Sequence, residues 1–208
     1  MTATGSPSSA PSPHVSAFHG TQSPVDEATR TGMIPSSWRP GCPVPIEDLR
    51  LLTLSYWGFD GTSHTREMIV NEDVATEVIS VFRALFAQRF PIQGMELVDV
   101  YGGDDDRSMA ANNTSAFNCR SVTGHPGVWS EHSYGRAIDV DPVQNPYVSS
   151  GGSVAPPAGA AYADRSRSAA GMIHGGDSTV EAFAAIGWAW GGGWPSIKDY
   201  QLFSSSGH

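Results

Sequence analysis

Between Ser130 and Asp139 the chain reads Ser-Glu-His-Ser-Tyr-Gly-Arg-Ala-Ile-Asp, which sets the imidazole of His132 seven residues before the carboxylate of Asp139. Imidazole nitrogen and carboxylate oxygen are both zinc ligands, and a catalytic zinc site takes three protein ligands and keeps a fourth position open. Gly135, between the two, lets the chain fold back and carry the imidazole toward the carboxylate. On a strand, Asp139 and Asp141 face one side while Ile138 and Val140 face the other. A bare His-x6-Asp pair is more often a surface histidine beside an acidic strand end. Here Ser130, Gly135 and Ala137 are small enough for close approach to a ligand site, and they shift the reading toward metal chemistry.

Such a pair needs a scaffold. Ordered structure is expected from about Trp38, with a short strand at 67–70. Asn71 then caps a helix over 72–89, where Val74, Val78, Val81, Phe82 and Leu85 recur at helical spacing and Pro91 enforces the stop. Met95 to Tyr101 alternates as a half-buried strand should. A long polar loop spans 102–118, a length that compact domains mostly reserve for function. A second strand is expected at 137–140 and a Pro/Gly/Ala/Ser-rich surface insertion at 143–171. Asp177 caps a helix over 179–186 that Gly187 ends, and final strands are read at 188–190 and 200–203. The sum is an α+β domain, a small antiparallel sheet flanked by helices, over residues 38–208.

Composition narrows the function classes. With 208 residues, 39% of them hydrophobic, one domain with an appendage is favoured over two. A net charge of −9 gives nucleic-acid binding no electrostatic footing. No apolar run approaches the roughly 20 residues of a membrane span. Residues 1–37 form a Ser/Pro-rich tail expected to stay disordered, and its start lacks the charged and apolar regions of a secretory signal. The two cysteines, Cys42 and Cys119, point the other way. Paired, they would close a long loop and imply an oxidising compartment; two buried thiols are the alternative.

The Ser-x-His-x2-Gly-x-Ala-x-Asp pattern resembles the zinc peptidases of the D-alanyl-D-alanine carboxypeptidase family, which act on bacterial cell-wall peptides. The likeness extends over about 95–203. It takes in Tyr101-Gly-Gly-Asp-Asp-Asp-Arg-Ser-Met109, Asn113-Thr-Ser-Ala-Phe-Asn-Cys-Arg120, Gly187-Trp-Ala-Trp-Gly-Gly192 and Lys198-Asp-Tyr-Gln201. What the resemblance implies is a hedgehog-like zinc-peptidase fold in which His132 and Asp139 bind zinc. A zinc-bound water would attack the peptide carbonyl, with Asp199 as general base. Arg107 is the candidate for steadying the oxyanion or gripping a substrate carboxylate, and Arg120 is its rival. Ser115, Tyr134 and Trp190 are candidate substrate contacts, with Trp194 beside them, although core packing explains the aromatic residues equally well. A peptidoglycan stem peptide is the implied substrate of an extracellular or wall-associated monomer, a carboxypeptidase or endopeptidase.

One position departs from the pattern. The family places its third zinc ligand, a histidine, three residues after the acidic base; here Asp199-Tyr200-Gln201 is followed by Leu202. Three outcomes follow. Zinc and catalysis are lost and the protein binds wall peptides without cutting them; or His208 or His174 substitutes; or zinc is held weakly by two protein ligands.

Overall fold

The first regular element in the computed structural model, which describes residues 17–207, is a strand, Gly20–Pro24 (β1), followed by a helix, Glu27–Met33 (α1). Both fall in the stretch expected to be unstructured up to residue 37. Residues 1–16 of that tail, and the candidate ligand His208, lie outside the described residues. Two things order this stretch. β1 runs antiparallel along the edge of Leu49–Trp57 (β2), from Gly20 opposite Leu54 to Pro24 opposite Arg50, so its backbone groups find ladder partners. Asp26 caps α1 by accepting from the Thr29 N–H at 2.8 Å, and Met33 is fully buried.

β2 pairs on its other side with Ser63–Asn71 (β3), making the order β1-β2-β3. The signal read as a short strand at 67–70 is therefore the end of a nine-residue strand. β2 is nearly continuous in apolar residues because both faces are covered. Leu52, Leu54 and Tyr56 join Met68 and Val70 beneath the helix Ala75–Ala87 (α2), which contributes Val78, Val81, Phe82 and Leu85. Leu49, Leu51 and Ile69 pack on the reverse face with Met33, Val44, Phe117 and Cys119. The expected helix over 72–89 is present as a 3-10 turn, Glu72–Val74, running into α2.

Residues 95–101 do not form the expected strand; Val98–Tyr101 is a 3-10 turn. A side chain supplies the missing partner. The Asn113 amide accepts from the Glu96 N–H at 2.7 Å and donates to the Glu96 carbonyl at 2.9 Å, so the main chain at 96 is satisfied without a ladder. The polar loop after it contains a short helix, Asp105–Ala110 (α3), whose cap Asp104 accepts from the Arg107 N–H at 3.0 Å. Then come the hairpin Ser121–Val122 (β4) and His125–Trp129 (β5), the strand Ala137–Asp139 (β6), and Tyr147–Val148 (β7) with Val154–Ala155 (β8). The helix Ser178–Ala184 (α4) is capped by Asp177, as expected. Ala189–Trp190 (β9), Lys198–Asp199 (β10) and Leu202–Ser204 (β11) complete the chain.

The last strands make two small antiparallel sheets, β6-β11-β9 and β10-β7-β8. The insertion at 143–171 is thus stitched to the strand that carries Asp199. It is also held by Arg165, which donates to the carbonyls of Gln144 (2.7 Å), Tyr162 (3.1 Å) and Ile173 and lies over the Tyr200 ring at 4.4 Å. The architecture is a mixed α/β domain of small antiparallel sheets, tied across 77 residues by a Cys42–Cys119 disulfide.

Asp141 does not share a strand face with Asp139. β6 ends at Asp139, and Asp141 takes a left-handed φ of 43°, which turns its carboxylate into the interior. There Oδ1 accepts from the Gln93 N–H at 2.8 Å, while Oδ2 has no partner among the described residues. Burial pushes this carboxyl well above the usual range. The folded protein then keeps a proton that the unfolded chain releases near pH 3.9. The stability this contributes is full below that pH and is lost as pH rises through the folded value. Asp141→Asn is expected to flatten that fall and to raise the urea midpoint at pH 7; an unchanged pH slope would sink the assignment.

Candidate active site around His132 and Asp139

His132 sits on a 3-10 turn, Glu131–Tyr134, whose entry is capped by the Ser130 hydroxyl and whose exit is Gly135 at φ 66°. A side chain at Gly135 would bring its Cβ within 2.6 Å of the Asn71 nitrogen, and Asn71 itself donates to the carbonyls of Gly135 (2.9 Å) and Tyr134 (3.1 Å). Glycine is needed here for both the backbone conformation and the close approach of β3. The turn is gripped from the other side by Ser133, whose hydroxyl donates to the Arg120 carbonyl at 2.7 Å and accepts from the Arg120 N–H at 2.9 Å.

The imidazole is oriented by one bond. Nδ1 lies 2.6 Å from the Ala116 carbonyl oxygen, an acceptor, so Nδ1 carries the proton and donates. That leaves Nε2 toward Asp139, whose Oδ2 is 3.2 Å away. A backbone carbonyl holding one nitrogen so that the other points at a ligand position is the usual support of a metal-binding histidine. The spacing fits too, since two ligands about 2.0–2.1 Å from a tetrahedral zinc lie roughly 3.3 Å apart. Both side chains are about 5% exposed. Burial opposes charge on the imidazole, but the Asp139 carboxylate outweighs it and raises His132 above its ordinary value.

Asp139 ends β6 with its backbone paired on one side to Ser115 (N–H···O 3.0 and 2.9 Å) and on the other to β11. Ser115, a candidate substrate contact, is buried and commits both its main-chain groups to this bridge. The β11 partner directly opposite Asp139 is Leu202. Opposed residues on antiparallel strands put their side chains on the same face. The isobutyl group therefore stands beside the carboxylate where a third ligand would be needed, 7% exposed.

Asp199 is half-buried here, on β10, with Oδ1 shielded and unpartnered among the described residues. Burial pushes its carboxyl up to about 7, and the neighbouring Asp139 charge adds to the rise. Gln201 Oε1 and Arg120 Nε are likewise buried without partners. Nothing in the sequence pattern singled out Gln201.

The two arginines separate clearly. Arg120 pairs with Asp105 at 2.8 Å, and its charge is felt by His132 and Asp199. Arg107, the first candidate for the oxyanion, is exposed on α3. The helix explains this: Asp105 and Met109 are four residues apart and share the inward face, whereas Arg107 is turned about 200° from Asp105. The aromatic candidates are used in packing. Tyr134 lies against the reverse-face core; Trp190 packs on the main core and donates to the Tyr200 carbonyl at 2.8 Å; Trp194 donates to the Gly207 carbonyl at 2.8 Å.

Among the described residues no group of three or more His, Cys, Asp or Glu side chains is disposed to hold a metal ion. The tautomer of His132 and the His132–Asp139 spacing suit zinc, but the donor set stops at two. His174 is no substitute in this arrangement: its N–H donates to Asp177 at the start of α4, and its Nε2 is buried without a partner. A separate groove of about 380 Å³ lies between α1 and β3, lined by Thr29, Glu67, Glu96, Asp99 and Val100 with no histidine. Chemistry, not concavity, picks out the His132 site.

Comparison with known proteins agrees with the motif. Residues 123–205 match the family model described as D-alanyl-D-alanine carboxypeptidase. The match encloses His132, Asp139, Asp199 and Leu202 and begins after Arg120, so the segments at 101–109 and 113–120 lie before it. No curated protein and no solved structure matches the chain. Through residues 123–205, which include the His132–Asp139 pair, the chain is similar to the D-alanyl-D-alanine carboxypeptidase family.

Proposed function

We propose that the protein binds peptidoglycan stem peptides at the His132–Asp139–Asp199 site and, with its present residues, does not cleave them through a bound zinc. The observation that carries this reading is Leu202 directly opposite Asp139. An alkyl side chain there removes the third donor, and loss of even a supporting group around a metal site costs about 10–100-fold in affinity. Three polar atoms remain to meet a ligand. Arg120 Nε donates to a carbonyl or carboxylate oxygen, and Gln201 Oε1 and Asp199 accept peptide N–H groups. The family match supports a peptide ligand, and the Cys42–Cys119 disulfide supports an exported, wall-facing location. A hedgehog-like zinc-peptidase fold is the arrangement this reading assigns to the domain.

A second reading keeps the enzyme, with His208, which lies outside the described residues, taken as the third zinc ligand. The oriented Nε2 of His132 and its 3.2 Å spacing from Asp139 favour it. One experiment decides. The purified full chain, dialysed against micromolar zinc, is assayed for metal content and for binding and cleavage of the peptide L-Ala-D-Glu-L-Lys-D-Ala-D-Ala. Expected are less than stoichiometric zinc, an intact peptide, and calorimetric binding that Arg120→Ala weakens about 10–100-fold. Stoichiometric zinc with cleavage, both abolished by His208→Ala, would establish the second reading instead.

A further inference from the structure

Arg120 is anchored at both ends. Its main chain is clamped by the Ser133 hydroxyl on the His132 turn, and its head reaches Asp105 on α3, Nη2 to Oδ2 at 2.8 Å. The two side chains are 23% and 22% exposed, so this pair is shielded from solvent far more than an ordinary surface bridge. α3 turns the face of Asp105, Ser108 and Met109 inward. Met109 meets the Gln201 amide at 3.5 Å, and Asp105 meets the guanidinium. Asp105 also senses the charges of Asp139 and His132, which places it against the same site. A guanidinium presents five N–H donors in a fixed plane. With one edge taken by a carboxylate the plane cannot swing, and here Nε is left buried without a partner.

We propose that Asp105 is a positioning residue for the site: its bond to Arg120 Nη2 holds the guanidinium so that the buried, unpartnered Nε is presented to an acceptor oxygen of the bound peptide. This rests on the reading that Arg120 grips the ligand. The competing view is that the pair merely ties α3 to the β4–β5 hairpin. In that case its loss lowers stability and leaves the guanidinium's behaviour and its coupling to the ligand unchanged.

The test combines a spectroscopic arm that needs no ligand with a double-mutant cycle. In ¹⁵N spectra of the full chain, the Arg120 Nε–H resonance, identified by its disappearance in Arg120→Lys, is expected to be sharp and slow to exchange with solvent. In Asp105→Asn it broadens and exchanges faster, and Asp105→Glu restores part of the protection. Binding of L-Ala-D-Glu-L-Lys-D-Ala-D-Ala is expected to weaken about tenfold in Asp105→Asn. Arg120→Ala, made in that variant, adds much less than it costs alone, because the two act as a unit. An Arg120 Nε–H signal indifferent to Asp105→Asn overturns the proposal, as do binding losses that simply add. If the unaltered protein does not bind the peptide, the functional reading fails, and the Nε–H signal still decides whether Asp105 positions Arg120.

Discussion

Leu202→His is expected to convert a chain that takes up less than stoichiometric zinc into one that binds it one to one, with affinity raised by more than about 100-fold. The reason is register. Leu202 pairs with Asp139 across β11 and β6, and the cross-strand neighbour's side chain starts about 4.5–5.5 Å from that of its partner. An imidazole from that Cβ reaches the space next to the carboxylate. The other requirements are already met: His132 has its Nδ1 proton spent on Ala116, and Asp139 is fixed by two backbone bonds to Ser115. A three-donor set of two histidines and one carboxylate is an ordinary catalytic zinc set. Metal analysis and competition with a chromogenic chelator measure the affinity. The stem peptide assayed above reports hydrolysis, which EDTA should reverse. Zinc binding without hydrolysis would locate a further defect at Asp199 or Arg120; no gain in zinc would mean that position 202 is not the missing ligand.

The second large effect concerns the N-terminal half. Removing the disulfide, as Cys42→Ser with Cys119→Ala, is expected to lower stability by about 4 kcal/mol, the loop-closure contribution for a crosslink across 77 residues. For a domain of this size the melting temperature should fall by roughly 10 °C. Cys119 is fully buried, and its N–H donates to the Ser37 carbonyl at 2.8 Å. One residue earlier, the Asn118 N–H donates to the His132 carbonyl at 3.2 Å. The crosslink therefore secures the segment that supplies both the Ala116 carbonyl under His132 and the Arg120 guanidinium. Calorimetric scans of the variant, and of the parent with and without reductant, check this. Peptide affinity should drop along with the melting temperature. A melting temperature unchanged within about 2 °C would show that the arm 34–42 stays docked through its hydrogen bonds alone.

Much of the site was legible because it is local. His132, Gly135 and Asp139 lie within one turn and one short strand, so spacing and residue type alone bring the two donors together. α2 and α4 were legible for a similar reason: their apolar spacing and their caps at Asn71 and Asp177 act within a few residues. Other elements depend on distant partners. Residues 95–101 alternate like a strand, but Asn113 satisfies Glu96 first. β1 has no apolar pattern and exists because the edge of β2 was open to it. The choice between Arg107 and Arg120 needed the helical phase of α3, which a run of three aspartates conceals.

By itself the sequence determined the site's resemblance to the carboxypeptidase family, its first two metal-type donors and the acidic residue at 199, since these are matters of residue identity and short spacing. It also showed that Leu202 has no lone pair. Only the tertiary structure decided that this leucine stands opposite Asp139, that Arg120 and not Arg107 reaches the site, and that Asp105 holds it. The register of β11 comes from non-local hydrogen bonds and from burial of residues such as Phe203 in the core, and the face that α3 turns inward is set by what it packs against. Neither leaves a local mark on the chain.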